Sequence, residues 1–181
     1  YFFLLLVVLE GRKFIKQSAI AAAGTYLGTM GLSAKSYGNI IGANDRVRVG
    51  VVGFSDRFKD ALLPSFLHHN KELNFDIVAV SDLWNYRRGL GVDHLKSKFG
   101  HDITACRNND ELYNLKDIDA VIVSTADFQH AIHAAEGVNN KCDVYCEKPF
   151  AETMEDARMA LKAVKNSKQI VQIGSQRRSG A

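Results

Sequence analysis

Apolar and polar positions change period several times between residues 45 and 174, and this change predicts the fold. Short runs of β-branched and other apolar residues indicate strands, whereas longer amphipathic stretches between them indicate helices. The predicted strands cover residues 47–52, 75–80, 103–106, 120–123, 143–146 and 170–173. The predicted helices cover residues 58–70, 84–99, 109–114, 129–138 and 154–166. Strands and helices that alternate in this way predict an α/β protein with a doubly wound parallel sheet.

Proline and glycine refine two of these helices. Pro64 lies inside the first one, so it either begins the helix proper at its first turn or kinks it. Gly100 follows the second helix directly and is predicted to end it as a C-terminal cap.

The N-terminal 34 residues have the composition of an export signal. The apolar run at residues 1–9 is too short to span a bilayer, which needs roughly 20 residues. The segment Arg12-Lys13-Phe14-Ile15-Lys16 resembles the end of a twin-arginine signal, with Gly11 in place of the first arginine. Export to the periplasm is therefore predicted. A short membrane-anchoring or surface helix is the alternative, and a protein without a functional signal would be cytoplasmic.

The remaining boundaries follow from composition. Residues 35–44 are rich in glycine and asparagine and are predicted to be a linker. Residues 45–174 form the predicted globular domain, and residues 175–181 are interpreted as the start of a second domain that the chain lacks.

Charge and cysteine content narrow the range of functions. The formal net charge is +3, and it is accounted for by residues 1–43, so the globular part is neutral. This balance argues against nucleic acid and anionic membranes as partners. Cys106, Cys142 and Cys146 are interpreted as small core residues, and no metal site is predicted.

The turn after the first strand is the first candidate for binding chemistry. Gly53 stands where the first glycine of a Gly-x-Gly-x-x-Gly turn would stand, while Ser55 and Phe58 fill the other two glycine positions. The Ser55 hydroxyl and the Arg57 guanidinium are predicted to contact a phosphate, near a helix N-terminus that favours anions. An ordinary strand-to-helix turn is the alternative.

An acidic residue ends the second strand. Asp82 is predicted to accept a hydrogen bond from a ribose 2′-hydroxyl, which favours NAD over NADP because a carboxylate repels a 2′-phosphate. Arg87 and Arg88 keep NADP open, since either can reach a phosphate.

The fourth strand is followed by further polar residues. Ser124, Thr125 or Asp127 is predicted to cap the next helix, and the first two are also candidates for cofactor contact. His130 and His133 lie three residues apart on that helix, where histidines are more often packing or surface residues than catalysts.

The last two strands end in charged residues. Pro149 favours an extended backbone at Lys148, so that the Lys148 ammonium can hydrogen-bond a substrate hydroxyl and help to manage its proton. The alternative is an exposed pair between Glu147 and Lys148. Arg177 and Arg178 follow the sixth strand and are candidates for binding oxygen-rich substrates.

Together these residues resemble the glucose–fructose oxidoreductase, inositol dehydrogenase and MocA family. The most specific element is Cys146-Glu147-Lys148-Pro149-Phe150, which is similar to the family's Glu-Lys-Pro signature. Weaker matches are Ser81-Asp82, Val123-Ser124-Thr125 with His130-Ala131, and the segment at residues 171–178.

The resemblance implies a Rossmann-like domain that binds NAD(P) through Gly53, Ser55, Arg57, Asp82, Ser124, Thr125, Glu147 and Lys148. It implies catalysis by Lys148, with His130 as a second candidate, and a sugar or polyol substrate that also contacts Lys148, Arg177 and Arg178. The family's C-terminal substrate domain is missing from this chain, so the fragment alone is expected to be inactive, and any homo-oligomer is expected to form through that domain. Two alternatives stay open: an NAD-dependent glycosidase that oxidises its sugar transiently, and a non-catalytic nucleotide-binding member.

Overall fold

The computed structural model describes residues 46–175 of the chain. Their six strands form one sheet in the order β3-β2-β1-β4-β5-β6, and every neighbouring pair is parallel. The strands are β1 (Val47–Val52), β2 (Phe75–Ser81), β3 (Thr104–Cys106), β4 (Ala120–Val123), β5 (Asp143–Cys146) and β6 (Val171–Ile173). The predicted α/β class and doubly wound parallel sheet are therefore confirmed.

The connections between the strands are helical. The first begins with a π-helical segment, Phe58–Leu62, and continues as α1 (Leu63–His69). The others are α2 (Asn85–Phe99), α3 (Asn109–Tyr113), α4 (His130–Asn139), which a 3₁₀ turn at Asp127–Gln129 precedes, and α5 (Met154–Asn166). Each predicted helix is present, with ends that differ from the prediction by at most one residue.

The two local predictions are confirmed. Pro64 lies in the first turn of α1, where its missing N–H is tolerated. Gly100 ends α2 in the left-handed conformation, with φ of 74°, and its N–H donates to the Lys96 carbonyl. No local pattern in the sequence indicates the π-helical segment.

Both faces of the sheet are covered by apolar side chains. On one face, α1 and α2 pack with Phe54, Phe58, Phe66 and Phe75 in the core. On the other face, α3, α4 and α5 pack against β1, β4 and β5 through a second buried cluster that includes Leu112, Val121, Val138 and Val144. Covered faces account for the nearly continuous apolar sequence of the central strands.

The order of the strands fixes the place of the functional site. Chain direction across the sheet reverses between β1 and β4, which are neighbours although two strands separate them in sequence. Loops that leave two such strands diverge, and in open α/β sheets ligands bind in the crevice between them. Within residues 46–175, no helix has the length and apolar character needed to cross a membrane.

Candidate cofactor site

A cavity of about 770 Å³ opens at the carboxyl ends of the central strands. Its walls come from the loops after β1, β2, β3 and β4 and from the start of α4. The volume lies within the roughly 300–1,000 Å³ typical of small-molecule sites. Five predicted cofactor residues line it: Gly53, Ser55, Asp82, Ser124 and Thr125.

Gly53 forms the turn that shapes this cavity. Its φ is +83°, a conformation that strains residues with a side chain, and its N–H donates to the Ser81 carbonyl at 2.8 Å. A methyl group at Gly53 would lie 2.7 Å from Thr125 Cγ2. Glycine is therefore required both by the backbone and by the close approach of the loop after β4.

Asp82 connects the first two loops. One carboxylate oxygen accepts from the Phe54 N–H at 3.0 Å, and the other accepts from the Trp84 N–H at 2.9 Å. The carboxylate thus stands at the end of β2 beside the glycine turn, in the position that the ribose prediction requires. The ribose contact itself stays a prediction.

The residues that replace the second and third glycines have structural partners. Ser55 Oγ accepts from the Phe58 N–H at 3.1 Å and so caps the first helical turn. The Phe58 ring is fully buried and packs near the ring of Phe54, with centroids 5.7 Å apart. Phe58 therefore belongs to the core, whereas Ser55 keeps a hydroxyl hydrogen available at the cavity.

A smaller cavity of about 330 Å³ adjoins the first through shared lining residues, Ser55, Ser124 and Thr125. Exposed Lys148 lines it, together with Arg57, Asp127, His130 and Glu147. All the predicted site residues within the described chain therefore lie at one edge of the sheet. Arg177 and Arg178 lie outside the described residues.

Glu147 is buried and does not pair with Lys148. Its Oε1 accepts from Arg57 Nη2 at 3.2 Å and from the Tyr145 hydroxyl at 3.1 Å. Burial and the Glu147 charge raise the pKa of Tyr145, so the phenol stays protonated and donates. Arg57 thus balances a buried carboxylate, and the alternative of an exposed Glu147–Lys148 pair is wrong.

The loop after β4 is fixed from inside. The buried Ser124 hydroxyl donates to the Gly53 carbonyl at 2.7 Å, which ties this loop to the glycine turn. Thr125 Oγ1 is buried and has no hydrogen-bond partner within residues 46–175. The 3₁₀ turn and α4 begin without a side-chain cap, so the prediction that Ser124, Thr125 or Asp127 caps the helix is wrong. Their loop bonds to neighbouring loops instead.

His130 is an interior residue that joins two loops. Its Nδ1 lies 2.7 Å from the Pro149 carbonyl oxygen, and its Nε2 lies 3.1 Å from the Thr125 carbonyl oxygen. The side chain is 2% exposed. Both ring nitrogens therefore bind backbone, on either side of the smaller cavity.

An ion pair closes one wall of the larger cavity and was not predicted. Arg87 donates to both carboxylate oxygens of Asp56, at 2.7 and 3.0 Å. The guanidinium lowers the pKa of Asp56 to about 2. Arg88 does not take part in this ion pair, because its guanidinium donates to the Asp82 carbonyl and to Asn85.

A second polar group consists of Asn109, His133 and Glu136, of which the sequence analysis named only His133. His133 Nδ1 lies 2.8 Å from Glu136 Oε2, and Asn109 Nδ2 donates to the same oxygen at 2.9 Å. The hydrogen bond from His133 lowers the pKa of Glu136. The sequence signal was the spacing of three between His133 and Glu136, which places both on one helix face. Asn109 begins α3, three residues after β3 ends, and nothing local marks it.

The cysteines are core residues, as interpreted from the sequence. None of the three forms a disulfide within residues 46–175, all three are buried, and burial raises the pKa of Cys106 to about 11 and of Cys146 to about 12. Within residues 46–175, no three His, Cys, Asp or Glu side chains are arranged to hold a metal ion.

The geometry defines a dinucleotide-fold protein, and comparison with known families identifies which one. Residues 47–175 match the GFO_IDH_MocA family, described as an oxidoreductase family with an NAD-binding Rossmann fold. The chain belongs to this family. The family resemblance, the fold and the nicotinamide cofactor expected from the sequence are thereby confirmed.

Related enzymes are inositol dehydrogenases. The inositol 2-dehydrogenase of Salmonella typhimurium is 34% identical over 104 residues, which cover 57% of this chain and 30% of that enzyme. The inositol 2-dehydrogenase of Agrobacterium fabrum is 31% identical over 143 residues, 75% of this chain and 38% of that enzyme. The chain thus spans about a third of the length of these curated relatives.

Solved structures show the same fold. The WlbA dehydrogenase of Chromobacterium violaceum, in complex with NADH and UDP-GlcNAcA, superposes with a TM-score of 0.65 at 20% identity, over 74% of this chain and 36% of that chain. The myo-inositol 2-dehydrogenase of Lactobacillus plantarum has a TM-score of 0.60 at 22% identity, over 75% and 38%.

Proposed function

We propose that residues 46–175 form the cofactor-binding half of an NAD-dependent oxidoreductase that acts on a hydroxyl group of a sugar or polyol. The observation that carries the proposal is the cavity at the reversal point of the sheet, built around the Gly53 turn. The names of the related inositol and nucleotide-sugar dehydrogenases support the substrate class. When bound, NAD⁺ supplies a hydride acceptor for oxidation of a carbinol carbon.

The residues present fit a dinucleotide. Gly53 lines the larger cavity, so a pyrophosphate can approach the backbone of this turn, and the Thr125 hydroxyl is a buried polar group that lacks a partner within the described chain. Asp82 presents its carboxylate at the end of β2, where a ribose hydroxyl can donate to it. Arg87 is already paired with Asp56, which favours NAD over NADP because its charge is not free for a 2′-phosphate.

Lys148 is the proposed catalytic residue. Its exposed side chain lines the smaller cavity, which adjoins the larger one at Ser124 and Thr125. The amine there can hydrogen-bond the substrate hydroxyl and take up its proton on Nζ as the hydroxyl oxygen becomes a carbonyl oxygen, to which the resulting ammonium donates. Glu147, the residue before Lys148, is buried and bound by Arg57 and Tyr145, so the backbone of Lys148 is held in place.

His130 is proposed to position the site and not to exchange protons with substrate. Its two ring nitrogens hold the carbonyl groups of Thr125 and Pro149, which lie in the loops that flank the smaller cavity. This arrangement keeps Thr125 and Lys148 at a fixed separation. The remaining catalytic groups are proposed to come from a C-terminal substrate domain.

The experiment that tests the cofactor proposal compares two dinucleotides. Titration calorimetry of the 181-residue chain is expected to show tighter binding of NAD than of NADP. Asp82→Asn removes the carboxylate charge and should reduce the NAD-over-NADP preference roughly tenfold. Asp102→Asn is the matched control, because Asp102 is exposed and pairs with Lys96 outside the cavity. Equal losses for NAD and NADP would count against the ribose contact.

Export is proposed from sequence alone. Residues 1–34 carry the basic cluster and mild apolar stretch of a twin-arginine-like signal. Fused to a reporter, they should direct it to the periplasm, and replacing Arg12 and Lys13 with glutamine should abolish export. A reporter that stays in the cytoplasm would refute the proposal.

A further inference from the structure

Three polar side chains form a fixed group on one wall of the larger cavity: Asn109, His133 and Glu136. The Asn109 amide has a defined orientation, because its Oδ1 accepts from the Ser81 hydroxyl at 2.7 Å. Its Nδ2 is therefore the donor toward Glu136 Oε2. Ser81 ends β2, Asn109 begins α3, and His133 and Glu136 both lie on α4, so the group connects these three elements.

This group also fixes the tautomer of His133. Nδ1 faces the Glu136 carboxylate at 2.8 Å, and a carboxylate only accepts, so Nδ1 carries a proton. Asn109 Nδ2 also lies 3.0 Å from this Nδ1, but its hydrogen bond goes to Glu136 Oε2, so it does not compete for the Nδ1 proton. In the neutral ring the lone pair is then on Nε2, and within the described chain the hydrogen bond that the ring donates is the one from Nδ1 to Glu136.

The position of the group relates it to one end of a dinucleotide. Ser81 precedes Asp82, the proposed ribose ligand, and three hydrogen bonds lead from Ser81 through Asn109 and Glu136 to His133. A base attached to that ribose would be held in the part of the cavity that Trp84 and His133 line. Gly53 and Lys148 would face the pyrophosphate and the nicotinamide.

We propose that His133 reads the purine base of the cofactor, accepting a hydrogen bond at Nε2 from the exocyclic amine of adenine. The proposal rests on the proposed function. Adenine presents an N–H₂ donor at this position, whereas hypoxanthine presents a carbonyl oxygen that only accepts. A lone pair on Nε2 and the adjacent Glu136 carboxylate both favour the amine and disfavour the carbonyl, which leaves a polar atom unsatisfied.

The test compares NAD⁺ with nicotinamide hypoxanthine dinucleotide, in which a carbonyl oxygen replaces the 6-amino group and the adjacent N1 carries a hydrogen. Binding to the 181-residue chain is measured by titration calorimetry at about pH 8.5, well above the ordinary imidazole pKa of about 6.5. The native chain should bind the hypoxanthine compound at least about tenfold more weakly. Equal affinities would overturn the proposal without any variant.

A variant identifies the residue responsible. His133→Phe keeps an aromatic ring but removes the acceptor, so it should weaken NAD⁺ about tenfold, leave the hypoxanthine compound nearly unchanged and bring the preference close to one. His68→Phe makes the same change on the exposed surface of α1 and should keep the native preference. An undiminished preference in His133→Phe would assign base selection to another residue and overturn the proposal.

These outcomes distinguish a failure of the proposed cofactor function from a failure of the proposed role of His133. If the native chain binds neither dinucleotide, the proposed cofactor function fails and this inference fails with it. If it binds both equally well, the cofactor function stands and only the role of His133 is refuted.

Discussion

Lys148 is the residue on which the proposed chemistry depends most. It lines the smaller cavity and is exposed, while its neighbours Glu147 and Pro149 are held by Arg57 and His130. Changing it therefore removes an ammonium group without disturbing the core.

In a full-length protein that contains the substrate domain, Lys148→Ala should lower kcat by about 10²–10⁴, the contribution typical of a positioned proton-transfer group. The dissociation constant for NAD should change little, because the larger cavity is untouched. Steady-state kinetics and calorimetry measure the two effects. Lys168→Ala, at an exposed position outside both cavities, is the control, and unchanged turnover in Lys148→Ala would refute the catalytic role.

Individual contacts were the part of the site that the sequence predicted least well. Gly53, Asp82 and Lys148 were found because each stands at the end of an apolar run. The partners of Ser124 and Arg57 were not, because they lie 71 and 90 residues away along the chain. The same limit hid the pairing of Arg57 with buried Glu147, and the contact between Arg57 and a phosphate stays a prediction.

Among the elements, α2 links helix packing to the shape of the cavity. Gly91 faces the ring of Phe54, the residue after the glycine turn, and a methyl group there would lie 2.9 Å from Phe54 Cγ. Gly89 lies on the same helix, and a methyl group there would have no atom within 4 Å. Substitutions at these two glycines therefore measure the effect of helix propensity on stability separately from the effect of packing.

Gly89→Ala should stabilise the domain by up to about 1 kcal/mol, because alanine favours the helix. Gly91→Ala gains the same propensity but displaces a fully packed ring, so a net destabilisation of about 1–3 kcal/mol is expected. Urea denaturation gives both values. Equal stabilisation by the two substitutions would show that Phe54 does not support α2 as described.

The elements themselves were predicted well for a physical reason. Sheet strands covered on both faces need continuous apolar sequence, and α2 and its Gly100 cap follow local rules. The π-helical segment Phe58–Leu62 has no such local rule, because it depends on how buried Phe58 and Leu62 fit against the sheet.

For the whole domain, His101 and His94 are expected to change the free energy of unfolding with pH in opposite directions. The hydrogen bond to buried Asp76 raises the pKa of His101, whereas burial lowers the pKa of His94. A histidine whose pKa is higher in the folded state than in the unfolded state stabilises the fold fully below the unfolded-state pKa of about 6.5. This contribution is lost as pH rises through the folded-state pKa. For His94 the contribution is present above about 6.5 and is lost as pH falls through its lowered value.

Urea midpoints of the native chain, His101→Gln and His94→Gln, measured between about pH 5 and 9, test this difference. Relative to the native chain, His101→Gln should lose more stability at acidic pH than at alkaline pH, and His94→Gln should show the opposite trend. Parallel curves for all three proteins would contradict both assignments.

The loops at the carboxyl ends of the strands are proposed to hold NAD, and hydrogen–deuterium exchange of the 181-residue chain with and without NAD measures whether they do. NAD should slow exchange in the loops after β1, β2 and β4, at residues 53–58, 81–85 and 124–130. Residues 70–75, at the amino ends of the strands, should exchange at the same rate in both states. No protection, or protection confined to the amino ends, would contradict the account.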